Sequence, residues 1–152
     1  MGTEIERKFR VRSLEGVDLG PGEAIRQGYL AEGDEVEVRL RITADECVLA
    51  VKAGGGLQRV EVERSLTTDE REGLWPHTAG RRLEKVRHRV DAGGHTAEVD
   101  VYGGSLAGIV VAEVEFESTA EAGTFTAPRW FAEELTGRPE WSNAALARER
   151  PV

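Results

Sequence analysis

The chain has 152 residues, with 20 Lys and Arg against 28 Asp and Glu, so its formal net charge is −8 at pH 7. This length suits a single domain over residues 1–152 with a buried core. The acidic balance argues against binding to nucleic acid or to a membrane surface, because both reward clustered Lys and Arg. No signal peptide and no apolar run of membrane-spanning length is present, so we expect a soluble, cytoplasmic protein.

The cysteine and histidine residues do not indicate a catalytic or zinc-binding role. Cys47 is the single cysteine, and no Cys/His spacing resembles a zinc site, which fits a reducing compartment. We expect Cys47 to be a buried strand residue and not a nucleophile. The three histidines are scattered, and we assign none of them to chemistry; they are His77, His88 and His95.

Alternation of apolar and polar residues with a period of two predicts seven strands. They cover residues 4–11, 35–42, 47–52, 59–66, 83–90, 96–102 and 110–117. An eighth strand over 24–30 is more weakly patterned. Glycine pairs and triplets at 54–56, 93–94 and 103–104 suit hairpin turns, because glycine reaches positive φ without steric cost. The order predicts an antiparallel, mostly β (α+β) fold.

Helical signals are fewer and short. Asp69 and Glu72 form a candidate capping pair for a helix that ends before Pro76. Residues 129–135 read as a helix after Pro128, and Ser142 or Asn143 is placed to cap a final helix over 144–150.

On nearly every predicted strand the charged residues share one face, because successive side chains point to opposite sides of a strand. For any single strand, the ordinary interpretation is a solvent-exposed face of an antiparallel sheet. Together, however, the faces carry almost only full charges, and like charges about 5 Å apart repel by about 3 kcal/mol at an effective dielectric near 20. We therefore expect opposite charges between them, as in a barrel whose acidic and basic strands face one lumen. The charged sets are Glu4, Glu6, Lys8 and Arg10; Glu35, Glu37, Arg39 and Arg41; Lys52; Glu61 and Glu63; Lys85, Arg87 and Arg89; Glu98 and Asp100; and Glu113, Glu115 and Glu117.

These charges indicate a ligand that is both anionic and metal-bound. Clustered carboxylates without Cys or His favour hard cations such as Mg²⁺ or Mn²⁺. Arg and Lys at alternate positions suit several phosphate oxygens, and no glycine-rich GxxxxGK[ST] loop is present to cradle them instead. The combination predicts a metal-bound polyphosphate.

The N-terminal sequence Glu4-Ile5-Glu6-Arg7-Lys8 is an ExExK signature, and it resembles the CYTH family, also called triphosphate tunnel metalloenzymes. The likeness runs along essentially the whole chain through QGYL (27–30), VRLRI (38–42), RVEVE (59–63), KVR (85–87), EVDVY (98–102) and AEVEFES (112–118). It ends with PRW (128–130) and WSN (141–143). Two positions depart from the family pattern: His88 stands where tyrosine is frequent, and Ala50 where threonine is usual before Lys52.

The resemblance implies a closed antiparallel eight-stranded tunnel β-barrel with a few peripheral helices, Mg²⁺ or Mn²⁺ as cofactor, and a small-molecule triphosphate as substrate. It also implies roles for residues at matching positions. Phosphate-binding residues would be Lys8, Arg39, Arg41, Lys52, Lys85 and Arg87. Metal-binding residues would be Glu4, Glu6, Glu61, Glu63, Glu113 and Glu115, with Glu98, Asp100 and Glu117 as less certain members. The residues expected to matter most for catalysis are Glu4, Glu6, Lys8 and Arg41.

The expected activity is hydrolysis of inorganic tripolyphosphate or of a nucleoside triphosphate. Adenylate cyclase and thiamine triphosphatase activities use the same clamps and stay open as alternatives within the family. A polyphosphate or nucleotide sensor without turnover is an alternative of another class, although the presence of all the predicted metal-binding glutamates argues against it. The sequence leaves homodimerisation open.

Overall fold

A computed structural model describes residues 4–33, 35–54 and 60–148. The fold is mostly β, with a few short helices between strands and after the last strand. The strands are β1 (Ile5–Arg10), β2 (Gly22–Glu32), β3 (Val36–Ile42), β4 (Cys47–Ala53), β5 (Val60–Ser65), β6 (Arg82–Ala92), β7 (His95–Tyr102) and β8 (Val110–Phe116). The α-helices are α1 (Thr68–Leu74), α2 (Thr119–Thr124) and α3 (Asn143–Ala147), and 3-10 helices cover Trp75–Thr78, Gly104–Leu106 and Pro139–Trp141.

All eight predicted strands are present, including the weakly patterned one, which becomes the long strand β2. They form one sheet in the order β1-β8-β7-β6-β2-β3-β4-β5. The registered pairs are antiparallel, as predicted. Within the described residues no hydrogen-bonded pairing joins β1 to β5, so the sheet is not closed in this way.

The chain divides into two compact units, which are described separately here. Unit 1 is built mainly from Ala24–Glu84 with residues 139–148, and unit 2 from Glu4–Glu23 and Lys85–Arg138. Strands β3, β4 and β5 belong to unit 1, and β1, β7 and β8 belong to unit 2. The single domain expected from the sequence stays a prediction.

In unit 1 an apolar cluster covers one face of β3 and β4. Leu40, Ile42 and Cys47 are buried there, and Leu74 and Trp75 from the helical segment pack against them. Burial raises the pKa of the Cys47 thiol. The burial predicted for Cys47 is thus confirmed.

In unit 2 the apolar sides of β1, β7 and β8 are covered by the chain that follows β8. Phe9, Val99 and Val114 pack in one cluster with Phe125 and Phe131, which lie after α2. Because side chains alternate along a strand, this cluster leaves the charged side chains of the same strands on the opposite face.

The helix predicted over 129–135 is wrong. This segment runs antiparallel to β1: the Ala132 N–H donates to the Arg10 carbonyl at 2.7 Å, and the Leu135 N–H donates to the Lys8 carbonyl at 2.7 Å. An unpaired strand edge leaves backbone donors and acceptors to satisfy, and that demand outweighs a weak helical propensity. The second edge of β1 is therefore occupied by chain from near the C-terminus.

Other local predictions are refined. Helix α1 begins with a capping box made by Thr67 and Glu70, not by the predicted Asp69 and Glu72. Ser142 caps α3 through the Ala145 N–H, as one of the two predicted alternatives had it. Helix α2, capped by Ser118, was not predicted. Residues 55, 56, 59, 149 and 150 of the predicted elements lie outside the described residues.

Among the described residues, no helix combines the length and the apolar character needed to cross a membrane.

Gly28 on β2 provides a test of packing in unit 1. A Cβ at this position would lie 2.7 Å from the buried Thr78 side chain and 2.9 Å from the Trp75 ring. Thr78 cannot move away easily, since it donates a hydrogen bond to the Trp75 carbonyl and accepts one from Arg82. We predict that Gly28→Ala lowers the free energy of unfolding, measured in urea, by about 1–3 kcal/mol.

Gly73 in α1 is the matched control, because a Cβ there meets nothing within 4 Å. Gly73→Ala should raise the free energy of unfolding by roughly 0.5–1 kcal/mol, since alanine restricts the unfolded chain. Equal stabilities for Gly28→Ala and the unmodified protein would show that Thr78 and Trp75 do not pack as described.

Candidate functional site

Three carboxylates converge on β1 and β8 of unit 2. The strand register places Glu6 directly opposite Glu115. Oxygen atoms from Glu4, Glu6 and Glu115 all lie within 4.8 Å of one another. The side chains are exposed, so solvent reaches the group.

Glu6 has an unusual protonation equilibrium for an acid that water can reach. Its pKa rises to about 8, first because surrounding protein limits its hydration and then because of the charge of Glu113 and a hydrogen bond shared with it. The charge of Glu4 acts in the same direction, while Lys8 opposes it. Carboxylates held this close need either a proton or a cation between them.

These residues fit the metal that the sequence predicts. The donors are carboxylate oxygens without Cys or His, which is the set that Mg²⁺ and Mn²⁺ prefer. Lys8 lies beside the group, paired with Glu113 across the strands, with 3.4 Å between Lys8 Nζ and Glu113 Oε1.

A second charged group of unit 2 centres on Asp100. This carboxylate is 2% exposed and lies 2.8 Å from Lys85 Nζ and 2.8 Å from Arg87 Nε. Burial alone would raise the pKa of Asp100, but hydrogen bonds from Arg87 and the charge of Lys85 outweigh burial and lower it. The sequence predicts Asp100 as a less certain metal ligand; here it holds two predicted phosphate-binding cations.

Unit 1 carries its charges on one ladder across β3, β4 and β5. Arg39 is 5% exposed, and its Nη2 lies 3.8 Å from Glu61 Oε1 and 3.9 Å from Glu63 Oε1. Ala50 lies between Arg39 and Glu63 in the register, so a small side chain separates the charges. A hydrogen bond from Glu61 raises the pKa of Glu63. Lys52 Nζ approaches Glu61 at 3.9 Å.

The Arg39 guanidinium does not use its full hydrogen-bonding capacity among the described residues. Its Nε is buried, and within the described part of the chain it has no hydrogen-bond acceptor. A buried guanidinium donor without an acceptor is costly, because desolvation is not compensated. This is the situation expected of a group that an anionic ligand completes.

Ion-pair distances differ among the predicted phosphate-binding cations, and Lys85 and Arg87 make short pairs with Asp100 at 2.8 Å. Three pairs remote from the predicted site are also short: Arg7–Glu134 at 2.7 Å, Arg12–Glu133 at 2.6 Å and Arg64–Glu70 at 2.7 Å. Pairs made by three predicted phosphate-binding cations are long: Lys8–Glu113 at 3.4 Å, Arg39–Glu61 at 3.8 Å and Lys52–Glu61 at 3.9 Å. Charge-assisted hydrogen bonds are normally about 2.7–2.9 Å, so the long pairs leave room for stronger acceptors.

The predicted site residues therefore fall into two groups in unit 2 and one group in unit 1. Unit 2 brings together Glu4, Glu6, Lys8, Glu113 and Glu115 on β1 and β8, and Lys85, Arg87, Glu98 and Asp100 on β6 and β7. Unit 1 brings together Arg39, Arg41, Lys52, Glu61 and Glu63. Glu117 follows the end of β8, where its N–H donates to Glu121.

Two residues near the site were not singled out from the sequence. Gln27 is fully buried and accepts a hydrogen bond from Arg41 Nε at 3.0 Å. Arg7, within the ExExK signature, lies on the apolar side of β1 and binds Glu134 and the carbonyls of Ala122 and Phe125. Alternation along β1 does place Arg7 opposite Glu6 and Lys8, which was a usable signal.

Comparison with known proteins agrees with this arrangement, although no protein-family model matches the chain. An inorganic triphosphatase of Nitrosomonas europaea is 41% identical over 151 residues, covering 98% of this chain and 99% of that protein. An inorganic triphosphatase of Acetivibrio thermocellus is 33% identical over 150 residues, covering 97% and 95%. A crystal structure of an inorganic triphosphatase has a TM-score of 0.77 at 38% identity and covers 100% of this chain and 99% of that one.

The fold and the paired acidic and basic strand faces are those of the CYTH class, so the resemblance found in the sequence is confirmed. Within that class, the chain belongs to the inorganic triphosphatase family.

Asp100 supports a prediction about stability and pH. Asp100→Asn should lower the free energy of unfolding at pH 7 by about 3–5 kcal/mol, because it removes the buried charge that Lys85 and Arg87 share. Folding lowers the pKa of Asp100 below its usual 3.8, so its stabilisation is complete above about pH 5 and is lost as pH falls through the folded pKa. The difference between the two proteins should therefore shrink below about pH 4.

Asp45→Asn, at an exposed turn, is the control and should change stability by no more than about 0.5 kcal/mol. Urea titrations between pH 7 and pH 3 measure both effects. A constant difference across that range would contradict a lowered pKa for Asp100.

Proposed function

We propose that this chain is a divalent-metal-dependent triphosphatase that hydrolyses inorganic tripolyphosphate. The proposal is supported by its two relatives named inorganic triphosphatase, each matched over nearly the whole chain. The observation that carries it is Arg39: among residues 4–33, 35–54 and 60–148, the Nε of this buried guanidinium has no acceptor and its paired carboxylates lie 3.8 and 3.9 Å away, which suits an anion with many oxygens.

Phosphate binding would be shared by six cations. Guanidinium groups give planar, bidentate contacts to phosphate, and ammonium groups act as point charges. An extended triphosphate offers enough oxygens to engage all of them, whereas a single orthophosphate does not. The proposed binding residues are Lys8, Arg39, Arg41, Lys52, Lys85 and Arg87.

Glu4, Glu6 and Glu115 would hold Mg²⁺ or Mn²⁺. When bound, such a cation neutralises phosphate charge and lowers the pKa of a bound water. Glu113 is the neighbour whose hydrogen bond and charge act on Glu6. Glu61 and Glu63 complete the proposed acidic set, and both lie near the Arg39 guanidinium.

The reaction is attack by water on the terminal phosphorus. The new P–O bond forms from water, the P–O bond to the bridging oxygen breaks, and pyrophosphate and orthophosphate leave. Lys8 and the arginines stabilise charge on the transferred phosphoryl group, and such positioning and electrostatics supply most of the catalysis in phosphoryl transfer. A carboxylate of the acidic group is suited to accept the proton of the attacking water.

The closed tunnel barrel with one charged lumen is part of this proposal. It is supported by the concentration of charge on one strand face in each unit, since such faces are stabilised by enclosing an opposite charge. The cytoplasmic location, the lack of nucleic-acid and membrane partners, and homodimerisation stay predictions.

The proposal is tested by incubating the protein with tripolyphosphate, ATP, GTP or thiamine triphosphate, each with Mg²⁺, Mn²⁺ or EDTA. We predict orthophosphate release that is fastest with tripolyphosphate and abolished by EDTA. Cyclic AMP from ATP would indicate a cyclase instead, preferred release from thiamine triphosphate a thiamine triphosphatase, and tight binding without phosphate release a sensor.

Arg39→Met supplies the residue-level version of this test. Loss of its phosphate contacts should lower kcat/KM for tripolyphosphate about 100-fold or more. Arg64→Met is the control, because Arg64 pairs with Glu70 at the start of α1 and should leave kcat/KM within about twofold. Activity retained in Arg39→Met would refute the role proposed for the buried guanidinium.

A further inference from the structure

A buried polar chain in unit 1 links β2 to β3. Gln27 and Tyr29 are neighbours on one face of β2, and both are almost completely buried. Gln27 Nε2 donates to the Tyr29 hydroxyl at 2.7 Å, and Gln27 Oε1 accepts from Arg41 Nε at 3.0 Å. The strand register places Gln27 directly opposite Arg41, so the contact is built into the sheet.

The amide orientation follows from the chemistry of its partners. A guanidinium group only donates hydrogen bonds, so the oxygen of Gln27 must face Arg41. The amide nitrogen is then directed to Tyr29, whose hydroxyl accepts. Both ends of the amide are engaged, and rotation of the Gln27 side chain would break both bonds at once.

Gln27 binds Arg41 through a neutral amide, whereas the other cations of the site lie near carboxylates. Arg87 and Lys85 are held by the anion of Asp100, and Arg39 lies near Glu61 and Glu63. The amide of Gln27 is neutral, so it orients the Arg41 guanidinium without adding a further negative charge to that of Glu63, which also acts on Arg41. The contact uses Nε, the guanidinium nitrogen that is bonded to the side-chain methylene.

We propose that Gln27 is a positioning residue, which, through its amide oxygen and with Tyr29 holding its amide nitrogen, sets the orientation of Arg41 toward a phosphate group of the substrate. The proposal rests on the proposed function for the role of Arg41, but the geometry of the Gln27–Arg41 contact does not. Burying an amide is costly unless both its polar ends are paired, so a fully buried glutamine here indicates a demand for orientation more than for packing.

The test follows Arg41 Nε directly. In a spectrum of ¹H–¹⁵N arginine side chains, the Arg41 signal is assigned by its absence in Arg41→Lys. Gln27→Met, of similar length but without an acceptor, should shift that signal or broaden it by exchange with water. It should also lower kcat/KM for tripolyphosphate about 10-fold, the value expected for losing a hydrogen bond to a charged group.

Two further variants sharpen the result. Tyr29→Phe removes the bond to the amide nitrogen but keeps the Gln27–Arg41 contact, so its effect on the Arg41 signal and on kcat/KM should be smaller. In an Arg41→Lys background, Gln27→Met should change kcat/KM by less than about twofold, because the partner of the amide is already lost. If Gln27→Met does not fold, Gln27→Asn keeps an amide one methylene too short and carries the same expectations.

An unmoved Arg41 signal in folded Gln27→Met, or in Gln27→Asn, would overturn the proposal. Equal losses of kcat/KM from Gln27→Met in the unmodified protein and in the Arg41→Lys background would also overturn it, since the glutamine would then act by another route. Failure of the unmodified protein to release phosphate would contradict only the proposed function, because the Arg41 signal still tests the Gln27–Arg41 contact.

Discussion

Clustered carboxylates and buried guanidinium groups must each be balanced by opposite charge, and this requirement governs the arrangement of the strands. Glu4, Glu6 and Glu115 lie close together on strands β1 and β8, and the pKa of Glu6 rises to about 8 because of limited hydration, the charge of Glu113 and a hydrogen bond shared with Glu113. Such a group is relieved by a proton or a cation, and the burial of Arg39 creates the opposite demand for an anion. Under the proposed function, a metal-bound triphosphate would supply a cation for the carboxylates and an anion for Arg39.

Each unit meets this constraint with an apolar cluster that anchors its strands on the side away from the charges. Phe9 and Phe125 belong to that cluster in unit 2, and Leu40 and Ile42 in unit 1. Because rigid strands set the spacing of charged side chains, little reorganisation is left for substrate binding, and preorganised charges contribute most to stabilising a transition state. The pairs of Lys8, Arg39 and Lys52 are long, whereas Lys85 and Arg87 make short pairs with the buried Asp100.

Strand alternation was enough to predict the eight strands and the sharing of one face by Glu6, Lys8 and their neighbours, because a period of two is a local property of the backbone. The segment 129–135 was mispredicted because its structure depends on the edge of β1, more than a hundred residues away in sequence. The ion-pair partners of Asp100 could not be predicted either. Asp100 binds Lys85 and Arg87, but no local sequence feature distinguishes it from the glutamates proposed to bind the metal. Gln27 was missed because a neutral residue in a strand carries no charge pattern to reveal its contact with Arg41.

The proposal that one metal-bound ligand occupies both charge groups can be tested by a crystal structure with Mn²⁺ and a slowly hydrolysed imido analogue of tripolyphosphate. We predict an anomalous manganese signal at coordination distance from Glu4, Glu6 and Glu115, and analogue oxygens within hydrogen-bond distance of Arg39, Arg41 and Lys85. Manganese bound elsewhere, or an analogue that contacts the cations of only one unit, would contradict the account.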